Sequence, residues 1–151
     1  MSATFDEVVK KLPEMLRRLT QQSPCSPEKV PVTKDARGVY LLSESGQYIY
    51  VGRGRLKHRL RSHLRGTPDS ASFAVKLARK ATGQLATYRS DNSIKTLRKD
   101  AAFMAAFDEA KQRIGRMQVR FIGIDNDLEE CLFEIYASTA LRTKYNTWNT
   151  H

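Results

Sequence analysis

Three segments of this 151-residue chain carry residues whose types and spacing suit chemistry on a phosphate. The first is Gly38-Val39-Tyr40. The second is Tyr50-Val51-Gly52, followed by Arg59 and His63. The third is Glu134, with Asn146 twelve residues later. Arg59 and His63 lie four apart in a stretch with helical spacing, so they share one face, a turn apart. A guanidinium is permanently charged, and its planar fork of donors matches phosphate oxygens. An imidazole beside it can move a proton near neutral pH. Glu134 falls at the edge of an apolar helical stripe, beside Cys131 and Ser138. One carboxylate at such an edge can hold Mg²⁺ (or Mn²⁺), which keeps several of its waters and needs only one or two protein carboxylates.

Taken singly, each residue has a blander reading. Tyrosines on strands usually pack, an arginine in a basic helix is usually a solvated charge, and a glutamate on an amphipathic helix is usually surface. Their joint order gives them weight, and the elements between them must bring them together. Residues 4–20 have an amphipathic helical pattern (Phe5, Val8, Val9, Leu12, Leu16, Leu19), which Pro13 is expected to kink or split. Residues 21–36 hold three prolines and read as a connecting loop.

The pattern then turns to period two. Val39–Leu42 and Tyr48–Val51 are rich in β-formers. A three-residue loop, Glu44-Ser45-Gly46, would pair Ser43 with Gln47 and set Tyr40 opposite Tyr50, both side chains on one face. Residues 56–65 return to helical spacing on Leu56, Leu60 and Leu64. Residues 70–82 read as a helix ended by Gly83, residues 100–114 as a helix closed by Gly115, and residues 117–124 as a third strand. Asp127-Leu128-Glu129-Glu130 has the form of a capping box opening a helix to about residue 143. Residues 84–99 are ambiguous. The expected fold class is α/β (α+β), a small, mainly antiparallel three-stranded sheet flanked by helices. One domain spans 1–151, with 1–36 an N-terminal helical extension and loop.

Composition narrows the partner. Lys and Arg total 26 against 16 Asp and Glu, a formal net charge of +10. Six of the basic residues and two histidines lie between Arg53 and Arg65 with no acid among them. Such a field favours a polyanion and makes binding salt-sensitive. Arg53, Arg55, Lys57, Arg61, Arg65, Lys76 and Arg79 are the expected nucleic-acid-binding residues. DNA is the expected partner, RNA not excluded. No membrane is expected, because no apolar run approaches the roughly 18 residues a bilayer span needs. Asp6, Glu7 and Pro13 do not suit a signal peptide, and two distant cysteines do not form a disulfide framework, so the expected setting is cytoplasmic. A monomer or homodimer fits equally. No glycine-rich nucleotide loop or zinc-ligand spacing is present. The chain runs five residues past Asn146, so target choice is expected to come from residues 66–116, the N-terminal helix, a partner or a dimer mate.

Gly38-Val39-Tyr40, a short hairpin and Tyr50-Val51-Gly52 resemble the paired motifs that name the GIY-YIG nucleases. The likeness continues through Leu56–His63, where an arginine precedes a histidine by one turn. It resumes at Glu130–Glu134 and at Lys144-Tyr145-Asn146. Valine replaces the usual isoleucine in both motifs. The stretch from Gly52 to Arg59 is one residue shorter than in many members, which makes Arg61 the fallback for Arg59. Glu130 is the fallback for Glu134. The resemblance implies a metal-dependent endonuclease. Tyr40 and Tyr50 would orient or deprotonate the attacking water, and Arg59 would stabilise the scissile phosphate. His63 would assist proton transfer, Glu134 would bind the one divalent ion, and Asn146 would hold the site together. Tyr40 and His63 both stand as the base. The alternative is a non-cutting nucleic-acid-binding module on the same fold.

Overall fold

The computed structural model describes residues 4–84 and 92–146. Helix α1 (Phe5–Gln21) begins with a reciprocal cap. The Thr4 side chain accepts from the Glu7 backbone N–H, and the Glu7 side chain accepts from the Thr4 N–H. Pro13 lies inside α1, which runs through it as one helix rather than two. The N–H that proline lacks would have bonded the carbonyl of Val9. Val9 is exposed, so water can satisfy that carbonyl. Meanwhile Val8, Leu12, Met15 and Leu19 bury the inner stripe and hold the helix down. Residues 21–36 are mainly connecting chain. They include a 3₁₀ turn at Pro27–Lys29 and a backbone pairing of Cys25 with Val119, 2.8 Å in each direction.

Strands β1 (Arg37–Glu44), β2 (Gln47–Arg55) and β3 (Gln118–Gly123) form an antiparallel sheet in the order β2-β1-β3. β1, in the middle, is buried from Gly38 to Ser43. Val39, Leu41, Val51 and Ile122 pack on one face against the inner residues of α1 and, from α6 (Asp127–Ala140), Phe133 and Ala137. The N-terminal helix, read from the sequence as an extension, thus supplies four side chains to this core. Helices flanking a three-stranded antiparallel sheet make the fold α+β, as expected.

The hairpin register differs from the expected one. Glu44 pairs with Gln47 across a two-residue turn, Ser45-Gly46, with φ of 52° and 77°. Positive φ at both positions is the tight turn whose twist matches the flanking strands. A second irregularity lies between Leu42 and Ser43, where the partner jumps from Tyr50 to Tyr48. Each change shifts the ladder by one residue, and together they shift it by two. Tyr40 is therefore opposite Gly52, and Leu42 opposite Tyr50. Because side chains alternate with period two, Tyr40 and Tyr50 still share a face.

Gly38 pairs with Gly54 on one side and Gly123 on the other. A Cβ at Gly38 would fall 2.0 Å from the carbonyl oxygen of Ile122. That obstacle is backbone, so it yields only if β3 separates from β1. Gly38→Ala is expected to cost about 3 kcal/mol or more, measured as a lowered midpoint in chemical denaturation.

The described residues fall into two compact units, one formed by residues up to Arg59 together with Met117 onward, the other by Leu60–Arg116. Helix α2 (Leu56–Arg65) begins in the first and ends in the second. In the second, α3 (Ser72–Thr82) packs against α5 (Ala101–Gly115), burying Phe73, Ala74 and Leu77 with Phe103, Phe107 and Ile114. Gly83 ends α3 in the left-handed conformation, as expected. Gly115 does not do so for α5; it is the last helical residue, and right-handed Arg116 is the cap. A short α4 (Ile94–Leu97) lies in the ambiguous stretch, the rest of which is partly outside the described residues. The cap of α6 is Asn126, whose side chain accepts from the Glu129 N–H, and not Asp127.

Candidate active site

Tyr40, Tyr50, Arg59, Glu134 and Asn146 belong to the first unit, and His63 to the second. Tyr40 is fully buried. Its ring lies across Gly52, where a Cβ would fall 2.1 Å from the phenol oxygen. Gly52 is thus the opening that lets Tyr40 lie flat against the neighbouring strand. The rings of Tyr40 and Tyr50 are 6.4 Å apart and tilted by 43°. Arg59, half-buried in the first turn of α2, lies beside the Tyr40 hydroxyl. Gly54, with φ of 127°, leaves room for its stem: a Cβ there would sit 3.1 Å from Arg59 Cγ. The fallback Arg61 is exposed and lies in the second unit.

Burial pushes the Tyr40 phenol well above its ordinary value. Tyr50 and Glu134 add to the rise, while Arg59 works against it. Near neutral pH the hydroxyl keeps its proton, so it serves as a hydrogen-bonding group rather than a ready base. Burial also raises the Glu134 carboxyl; Arg53 and Arg59 pull it down and Glu130 pushes it up. Glu134 thus lies in the electrostatic reach of Tyr40 and Arg59, although it is 75 residues or more away in sequence.

Asn146 clamps the outer strand. Its Oδ1 accepts from the Val51 N–H at 2.7 Å, and its Nδ2 donates to the Val51 carbonyl at 2.8 Å. The Thr143 hydroxyl donates to the same Oδ1 at 2.7 Å, and the Tyr145 N–H donates to the Ile49 carbonyl at 3.0 Å. β2 is an edge strand, and these groups satisfy part of its free rim where Tyr50 leaves it. Asn146→Ala leaves both polar groups of Val51 without this partner. The expected cost is about 1–3 kcal/mol, read as a lowered denaturant midpoint.

His63 is fully buried, with its ring edge-on to Phe73 at a centroid distance of 6.1 Å. The sequence placed it on one helix face with Arg59; it is buried where Arg59 is half-buried. Among the basic residues, Arg55, Lys57, Arg61 and Arg65 are exposed. Arg53 is also exposed, but its guanidinium contacts Glu130 at 3.2 Å and Glu134 at 3.5 Å. Lys76 and Arg79 are half-buried, and burial lowers both from their ordinary values. Arg79 donates to the carbonyls of Gln84 and Asn92 at 2.9 and 3.0 Å.

Two roles escaped sequence reasoning: that of Glu130, which the sequence offered only as the fallback for Glu134, and that of Gly52. Glu130 is fully buried and accepts from Arg37 Nε and Nη2 as well as from Arg53. Arg37 and Glu130 are 93 residues apart, and no periodicity marks them as a pair. The role of Gly52 as the floor beneath Tyr40 was equally hidden, though the glycine itself lies in a motif. Among the described residues, no three His, Cys, Asp or Glu side chains group to hold a metal. The half-buried carboxylate of Glu134 still suits a hard cation that keeps most of its waters.

No protein-family model matches the chain, and no curated protein matches it. The chain is similar to solved structures of the GIY-YIG N-terminal endonuclease domain of UvrC from Thermotoga maritima. One, bound to magnesium as its catalytic divalent cation, is 20% identical, with 95% of this chain and 100% of that chain covered and a TM-score of 0.41. A tyrosine-to-phenylalanine point variant bound to its catalytic divalent cation is 18% identical, covering 89% of this chain and 97% of that chain, also with a TM-score of 0.41.

Proposed function

We propose that this chain is a metal-dependent endonuclease that hydrolyses phosphodiester bonds in DNA through a single-metal site of the GIY-YIG type. One observation carries the reading. Arg59 lies beside the hydroxyl of Tyr40, with Tyr50 next to it and Glu134 in electrostatic reach of both. These residues come from β1, β2, α2 and α6, and they keep the order of the motifs. The net charge of +10 supports a polyanionic substrate.

Glu134 is the residue that would hold the divalent ion, Mg²⁺ or Mn²⁺, which supplies a Lewis acid for a phosphate oxygen and charge for the leaving oxygen. Arg59 provides permanent positive charge for the phosphate oxygens beside Tyr40. Tyr40, kept protonated by burial, orients the attacking water by hydrogen bonding, and Tyr50 flanks it. His63, on α2, is the residue to which the order of the motifs assigns proton transfer. Asn146 fixes the strand that carries Tyr50. Arg55, Lys57, Arg61 and Arg65 supply exposed charge for the DNA backbone, and Arg53, Lys76 and Arg79 add to that field.

The second reading is a non-cutting nucleic-acid-binding module, and the contact between Arg53 and Glu134 favours it: a carboxylate occupied by a guanidinium is a poorer ligand. End-labelled duplex, single-stranded, flapped and branched DNA, with an RNA counterpart, incubated with Mg²⁺ or Mn²⁺, tells the two apart. Metal-dependent cleavage of at least one DNA form supports the nuclease. Retarded but intact strands throughout would leave the binding module.

A further inference from the structure

We infer that Arg53 is a positioning residue for Glu134, itself held by buried Glu130, so that the set Arg37–Glu130–Arg53 fixes the carboxylate on which the proposed site depends. What Glu134 does rests on the endonuclease reading; how it is held does not.

Arg53 pairs with Val39 across the ladder, so both point to the sheet face that α6 covers. Glu130 and Glu134 are four apart on α6, one turn above the other, where like charges repel. A cation between them relieves that repulsion, and Arg53 is so placed: Nη1 is 3.2 Å from Glu130 Oε1 and Nε is 3.5 Å from Glu134 Oε1. Contacts from two different nitrogens of one rigid plane fix the guanidinium relative to both carboxylates. An ammonium is a single point of charge and has no such plane.

Glu130 is the anchor. A carboxylate with no exposed surface keeps its charge only when paired and hydrogen-bonded. Arg37 supplies two donors, at 3.3 and 3.2 Å, and Arg53 the third. Two arginines and two glutamates make the set neutral. A divalent ion arriving at Glu134 makes the neighbourhood positive, and Glu130 is then the carboxylate that retains Arg53. Without the Glu130 charge, Arg53 turns wholly to Glu134 and competes with the ion. A mere structural clamp between sheet and α6 predicts none of this selectivity between charge and shape.

The test uses the full chain and its Arg53→Gln, Arg53→Lys and Glu130→Gln variants. Mn²⁺ binding without nucleic acid is read from the free-ion paramagnetic resonance signal, and plasmid cutting is read against Mg²⁺ concentration. Arg53→Gln is expected to bind Mn²⁺ about three- to tenfold more tightly, because a nearby positive charge is gone. It is also expected to cut about tenfold more slowly at saturating metal, because the carboxylate is no longer held. Arg53→Lys keeps the charge, leaves Mn²⁺ affinity within about twofold, and cuts as slowly as the glutamine variant. Glu130→Gln weakens Mn²⁺ binding about three- to tenfold, and its cutting recovers as Mg²⁺ is raised. Wild-type cutting at saturating metal by Arg53→Lys, or an Mn²⁺ affinity unmoved in Arg53→Gln, overturns the inference. Should Glu130→Gln fail to fold, the two variants at Arg53, which is 39% exposed, decide alone. A parent chain that binds Mn²⁺ and cuts nothing defeats the endonuclease reading, while the Mn²⁺ arms still decide this one.

Discussion

Replacing Glu134 by glutamine is expected to slow strand cutting by on the order of 10³-fold or more while leaving DNA affinity within about threefold. The glutamine keeps the shape of the side chain and removes the charge with which Glu134 would hold a divalent ion. Binding is expected to survive because the cations proposed to meet the phosphate backbone, Arg55, Lys57, Arg61 and Arg65, are exposed and untouched by the change. The fold survives as well. Burial raises the Glu134 carboxyl despite Arg53 and Arg59, so the folded state holds that proton more tightly than the unfolded chain does. A carboxyl of this sign costs stability as pH rises past its unfolded value. At neutral pH the glutamine variant is therefore expected to melt at or above the temperature of the parent. Gel retardation, plasmid cutting and a thermal melt on one preparation check the three parts. Loss of binding together with cutting would mean that Glu134 acts through the fold.

The second large effect is expected at Gly52, which contributes no side chain to the site. In Gly52→Ala the new methyl would meet the Tyr40 phenol oxygen at 2.1 Å and its ring carbon Cζ at 2.2 Å. The end of a side chain can often swing aside, but Tyr40 is fully buried and packed matter surrounds it. Either β2 moves away from β1 or Tyr40 abandons its place beside Arg59. The expected losses are about 2–4 kcal/mol of stability and about 10²-fold in cutting rate. Tyr40→Phe does not relieve the clash, because the ring carbon is obstructed too. Tyr40→Ala does, so adding Gly52→Ala to it should cost little further stability, a coupling seen as strong non-additivity in a double-mutant cycle. Additive losses would show that the alanine is accommodated without touching the tyrosine.

Much of the frame was legible because periodicity records burial. The leucine stripe of α2 and the alternation of β1 and β3 gave their elements to within a residue or two, since each face must be buried somewhere. Turns and caps were less legible. Ser45-Gly46 and the shift at Leu42/Ser43 depend on local twist, which composition does not encode. The two one-residue shifts add to two, an even number, which is why Tyr40 and Tyr50 share a face even though the expected pairing was displaced. Gly115 looked like a helix stop, but Arg116 caps α5 through right-handed geometry. At the site, the joint order of the motifs and their resemblance to a known family suggested that Arg59, Tyr40 and Glu134 could meet. Spacing could not show that Arg53, counted with the DNA-binding cations, is engaged by Glu130 and Glu134. Nor could it show His63 fully buried on Phe73. Ion pairs across 77 or 93 residues are properties of the folded chain and leave no periodic trace.

Incubation of supercoiled plasmid with the purified parent chain, with Mg²⁺ and then with EDTA, puts the hydrolytic site to its plainest trial. Nicked and linear product should accumulate with Mg²⁺, stop on chelation, and be missing with Glu134→Gln. Plasmid that stays supercoiled with folded protein in both Mg²⁺ and Mn²⁺, or that is cut equally well by Glu134→Gln, would contradict a phosphodiesterase centred on that carboxylate.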